Sequence, residues 1–158
     1  MIKSANSWSV SDQPAEFWLG IEQFNQGDYY ACHDTLEAIW LEANPSEQAF
    51  YQGILQIAVG LYHLTNLNWQ GAAILLGEGS NRLNAYGDIH GGINVNELIN
   101  QATDWLLALQ ETGPDQVQQL ASVLLDRSPK AVQHSLEEED NLITPNIQLV
   151  YNSNEISP

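Results

Sequence analysis

Lysine and arginine are nearly missing from this chain. Only 4 of them stand against 20 aspartates and glutamates in 158 residues, a formal net charge of −16. A chain so poor in cations cannot neutralise a run of phosphates, which argues against nucleic acid as a partner. Anionic membrane surfaces are disfavoured on the same ground. A basic protein partner is the kind the charge permits, although solubility and self-repulsion alone account for such a balance. Cysteine occurs once, as Cys32, so no disulfide can close within the chain and a reducing, cytoplasmic setting is expected. Long hydrophobic runs are lacking too. The stretch Gly53 to Leu64 is interrupted by Gln56 and His63, well short of the roughly 20 apolar residues a bilayer span requires. Residues 1–13 contain no apolar run of signal-peptide type. No convincing strand pattern is found.

What is present is helix. Apolar residues make up 44% and charged residues 15%, a globular composition of single-domain length. Pro14, with Glu16 in the following turn, opens a first helix on which Phe17, Ile21 and Phe24 recur, and Asn25-Gln26-Gly27 ends it. Asp28 is placed to cap a second helix, Tyr29 to about Glu42. Asn44-Pro45-Ser46-Glu47 opens a third, with Glu47 at capping-box spacing. Asn68 is placed to cap a fourth that Gly87 stops. His90-Gly91-Gly92 reads as a loop with His90 exposed. Asn94 and Glu97 open a fifth helix, and a last one is expected from Asp115 to Asp126. Thr144 to Tyr151 is expected to lie extended against the bundle. Glu137 to Asp140 reads as a solvated acidic run, and His134 nearby as exposed.

The chain also echoes itself. A shift of about forty residues aligns Gly20-Ile21 with Gly60-Leu61, Phe24 with Leu64, Asp28 with Asn68, Tyr29 with Trp69, and Cys32 with Ala72, in the range of helical repeats. The expected fold is therefore all-α, an antiparallel helical bundle of five to six helices. Two αα-hairpins, further C-terminal helices and an extended tail compose it. The expected organisation is an N-terminal segment (1–13), a helical domain (14–128) and an acidic, partly extended tail (129–158).

One polar constellation stands out. Tyr29, Tyr30, His33, Leu36, Glu37 and Trp40 share a face of the second helix at 100° per residue. A His and a Glu among large aromatics are expected to be buried, and buried polar groups need partners. The third helix is apolar almost all round except for Gln52, Gln56 and His63, so it is expected at the centre of the bundle. The expectation is a buried network in which His33 and Glu37 meet Gln56 and His63 between the second and third helices. The plainest reading is a satisfied hydrogen-bond network that fixes helix register, within a binding or interaction module that engages a protein partner or small ligand. Two alternatives use the same residues. His33, Glu37 and His63 together offer ligands for a divalent metal, and His33 oriented by Glu37 offers acid–base chemistry of a hydrolase kind. No cofactor fingerprint accompanies them. Cys32 reads as a small core residue, and Arg82 as the surface partner of Glu78 four residues earlier, with an inward turn to neutralise Glu37 as the alternative.

Phe17, Gly20-Ile21, Phe24-Asn25-x-Gly27-x-Tyr29-Tyr30 and Cys32-His33-Asp34-x-Leu36-Glu37-x-x-Trp40 resemble the first motif of a prokaryotic family, the domain of unknown function 309. Phe50-x-Gln52-Gly53-Ile54-Leu55-Gln56-x-Ala58-Val59, His63, Asn68, Gly71-Ala72 and Leu75 resemble its second, and Arg82-Leu83 with Tyr86 its close. The resemblance implies an all-helical fold. It also implies a site at His33, Glu37, Trp40, Gln52, Gln56 and His63, without implying an activity. Ala31 and Asp34 stand where the family usually has Glu; a Glu at 31 would complete a capping box after Asp28 or add an acidic ligand, so its absence weakens the metal alternative more than a structural role.

Overall fold

The computed structural model describes residues 13–126 and 142–150. The chain is all-α: among these residues there are six α-helices and one two-stranded sheet. The helices are α1 (Ala15–Asn25), α2 (Tyr29–Trp40), α3 (Pro45–Thr65), α4 (Trp69–Leu83), α5 (Val95–Thr112) and α6 (Val117–Leu125). His134 and the acidic run at 137–140 lie outside the described residues.

The internal echo is structural. Gly27 and Leu67 occupy the same place in the α1–α2 and α3–α4 turns, both at positive φ, 86° and 63°. The turn bonds repeat as well. Asp28 N donates to Gln23 O and Asn68 N to His63 O, each at 2.9 Å, while Gly27 N reaches Phe24 O and Leu67 N reaches Leu64 O at the same distance. This is the left-handed helix stop that closes orphaned carbonyls at a helix end. A Cβ on Gly20 would lie 2.8 Å from Leu36, and one on Gly60 would lie 3.1 Å from a side-chain carbon of Leu76. Each hairpin thus seats a leucine of its second helix over a glycine of its first. Capping differs between the copies: Asn68 accepts from Gly71 N, whereas Asp28 makes no side-chain cap bond.

Helix α3 is central, as its apolar circumference requires. It packs most extensively on α4 and next on α2. The α3–α4 contact is close because both helices lack side chains where they cross. A Cβ on Gly79 would sit 2.7 Å from the carbonyl oxygen of Gly53. Phe17, Phe24, Phe50, Ile54, Leu61, Leu76 and Trp105 fill the core.

The loop expected around His90-Gly91-Gly92 is a small hairpin instead. Strands β1 (Ile89–His90) and β2 (Ile93–Asn94) pair antiparallel around Gly91 and Gly92, both at positive φ. His90 is not exposed. Its side chain is 16% accessible, Nε2 lies 3.0 Å from a carboxylate oxygen of Glu47, and its ring meets Phe50 and Tyr86. Glu47 is therefore engaged with His90, and Asn44 makes no side-chain cap bond on α3. Residues 142–150 of the tail do lie extended against the bundle, while Tyr151 lies outside the described residues. Leu149 bridges Ile93, Trp105 donates to Ile143 O at 2.9 Å, and Asn25 holds Ile147 through both backbone atoms.

Candidate functional site

Helix α2 buries Tyr29, Cys32 and Leu36, a stripe at helical spacing. Consecutive residues stand about 100° apart, so His33 and Glu37, each one step beyond a buried residue, sit at the rim of that stripe. Glu37 is exposed and the His33 side chain is 23% accessible. Cys32 is fully buried, and burial, followed by the charge of Asp28, pushes its thiol up to about 12. Tyr30, read as part of the inward face, is 53% exposed. A tyrosine tolerates solvent on one side because its ring is amphipathic. Counting Tyr30 as inward turns the expected face toward His33 and Glu37, whereas Trp40 does pack on the core.

The expected buried network between α2 and α3 is therefore not formed. Gln56 is buried as expected, at 9% exposure, but its partners come from α4: Arg82 Nε donates to Gln56 Oε1 at 3.0 Å, and Gln56 Nε2 donates to Glu78 at 3.4 Å. Gln56 and Tyr62 lie about 120° apart round α3, and it is Tyr62 that faces α2. His63 shares the side of Gln56, its Nδ1 3.3 Å from Asn68 at the start of α4. The Gln56–His63 side of α3 faces α4 rather than α2, and both helices join α3 through short loops. Gln52 is half-buried and shares no hydrogen bond with the other candidates. Trp40 packs on the core with its indole N–H buried and unbonded, and its carbonyl accepts from Gln48. Arg82 is not the surface partner of Glu78.

What the structure gathers on α2 is different. His33, Asp34 and Glu37 each offer a ligand atom, all within 4.8 Å of one another, with His33 Nδ1 3.2 Å from Asp34. Asp34 was not among the expected ligands, although it lies next to His33 in sequence. His63 does not join the group. Beside it runs an aromatic strip: Tyr30 lies 5.8 Å from His33 and 5.1 Å from Tyr62, and Tyr62 lies 6.3 Å from His63, ring centre to ring centre. The two histidines are thus linked across the surface by two tyrosines rather than through the core. Rings at such separations attract one another, and an exposed aromatic face flanked by carboxylates suits a cationic group.

Fold and site define a small helical domain of two equivalent αα-hairpins with a His–carboxylate–tyrosine strip on its second and third helices. Residues 17–75 match the family model described as "Domain of unknown function (DUF309)", so the resemblance covers α1 to α3 and the start of α4. The "Uncharacterized protein YpuF" of Bacillus subtilis (strain 168) is 40% identical over 50 residues, 31% of this chain and 29% of that protein. The match thus spans less than a third of the relative's length. No solved structure matches significantly. No described helix is long and apolar enough to cross a membrane.

Proposed function

We propose that this chain is a binding module that takes a basic segment of a protein partner on the strip of Tyr30, Tyr62, His33, Asp34 and Glu37. The exposure of Tyr30 carries the reading. A tyrosine 53% exposed, yet packed ring to ring against Tyr62 and His33, is a pre-ordered aromatic face left open to solvent. Cations bind such faces, and two carboxylates beside it add charge of the right sign. The net charge of −16 steers basic partners toward the molecule.

The test is a chemical-shift titration of the full chain with a short lysine- and arginine-rich peptide, beside an acidic peptide of equal length. Saturable shifts centred on Tyr30, His33, Glu37 and Tyr62, lost in Tyr30→Ala and weakened by salt, are expected. Shifts spread evenly over the acidic surface, or unchanged in Tyr30→Ala, would sink the reading.

A second reading rests on the His33–Asp34–Glu37 group. One imidazole and two carboxylates within 4.8 Å of one another suit a divalent cation, and with it metal-assisted chemistry. Calorimetric titration with zinc and manganese decides it. One equivalent bound by the wild type and none by His33→Ala supports a metal site, and no saturable heat rules it out.

A further inference from the structure

We propose that Arg82 forms a separate binding site for a small monocarboxylate on the α3–α4 face. Arg82 is the only lysine or arginine among the described residues. In a chain with 20 acidic residues, such a cation would be expected to pair with one. Glu78 stands four residues before it on the same helix, at a spacing that normally favours an ion pair. No such pair forms: among the described residues the only carboxylates at ion-pair distance from a basic side chain are those beside the imidazoles of His33 and His90. Gln56 comes between the two side chains instead. Its oxygen accepts from Arg82 Nε and its nitrogen donates to Glu78.

That arrangement holds the guanidinium by one edge. Gln56 is more than nine-tenths buried, so its amide is a fixed anchor. Among the described residues the bond from Nε is the only side-chain hydrogen bond Arg82 makes, and neither terminal amino group has a protein partner there. Arg82 is half-buried, and partly desolvated donors gain from a partner. Tyr86 lies close enough for the Arg82 charge to act on its phenol, and that ring is fixed by a 3.0 Å bond from its hydroxyl to Ser46 O. A planar fork of N–H donors, anchored at one edge and open at the other, matches the two oxygens of a carboxylate. Glu78 and, beyond Tyr86, Glu47 supply nearby negative charge. Their repulsion grows with the charge of the ligand, so a singly charged carboxylate is favoured over a phosphate dianion.

The experiment titrates the isotope-labelled full chain with sodium acetate against sodium chloride at constant ionic strength, with inorganic phosphate in parallel. Acetate is expected to give saturable shifts at the Arg82 Nε–H and at the amides of Gln56 and Tyr86. Arg82→Gln should abolish them, and Arg82→Lys, which keeps the charge without the fork, should weaken binding about tenfold. The Gln56 contact also serves the fold, so Arg82→Lys supplies the comparison if Arg82→Gln does not fold. Shifts that fail to saturate, that persist in Arg82→Gln or are unchanged in Arg82→Lys, or phosphate binding tighter than acetate would each overturn the assignment.

Discussion

The side chain of Asn25 closes a two-bond ring on the backbone of Ile147. Its Nδ2 donates to Ile147 O at 3.0 Å and its Oδ1 accepts from Ile147 N at 2.7 Å. An asparagine near the end of α1 thus holds the tail as a neighbouring strand would, 122 residues away in sequence. Asn25→Ala leaves two backbone groups of Ile147 unpaired, at about 1–3 kcal/mol. It is expected to raise hydrogen exchange at residues 142–150 far more than in α3, and equal protection in both proteins would contradict this role.

Close approach of α3 and α4 makes a paired prediction on one helix. Gly79→Ala would put a carbon 2.7 Å from the backbone oxygen of Gly53, whereas a Cβ on Gly77 meets only a Leu106 methyl group at 3.7 Å. Urea unfolding is expected to show Gly79→Ala destabilised by about 2 kcal/mol or more. Gly77→Ala should be neutral or stabilised by up to about 1 kcal/mol. Equal effects would mean that the helices do not cross at Gly53 and Gly79.

The repeated turn yields a stabilising substitution. Leu67 sits at φ 63°, half-exposed, where the first hairpin has Gly27. A leucine there carries about 1–2 kcal/mol of left-handed strain, part of which glycine returns as unfolded-state entropy. Leu67→Gly should therefore raise stability by up to about 1 kcal/mol in the same unfolding assay, while Gly27→Ala should lower it.

Cys32 gives an alkaline signature. Burial, with the Asp28 charge adding to it, raises its folded pKa from 9.0 to about 12. Between those values the unfolded chain releases a proton that the folded chain keeps. The thiol's contribution is therefore whole below pH 9 and declines as pH rises toward 12, by at most about 1.4 kcal/mol per pH unit. Unfolding midpoints measured from pH 8 to 11 should fall less steeply in Cys32→Ala than in the wild type. Parallel curves would mean that the thiol is not buried.

Much of this architecture was legible in the residues. The helix starts at Pro14 and Pro45, the Asn68 and Asn94 caps and the forty-residue echo all follow from local chemistry, which acts within a few residues. The site was less legible, because a helix face is set by partners distant in sequence. Cys32 and Leu36 fix the inward side of α2, yet the larger Tyr30 outweighed the small cysteine in reading the pattern. Gln56 and His63 were grouped correctly on one side of α3, but nothing local distinguishes a side facing α2 from one facing α4. The pairing of His90 with Glu47 is hidden for the same reason: a histidine followed by two glycines looks exposed until its hairpin folds onto α3.

The outward placement of the His33–Glu37 pair is the central claim, and it is tested most directly by measuring stability and basic-peptide affinity together in His33→Ala/Glu37→Ala. Surface residues leave stability within about 0.5 kcal/mol of wild type, so little change in the urea midpoint with a clear loss of peptide affinity is expected. A loss of about 1–3 kcal/mol, the cost of unpairing a buried network, with affinity unchanged, would contradict it.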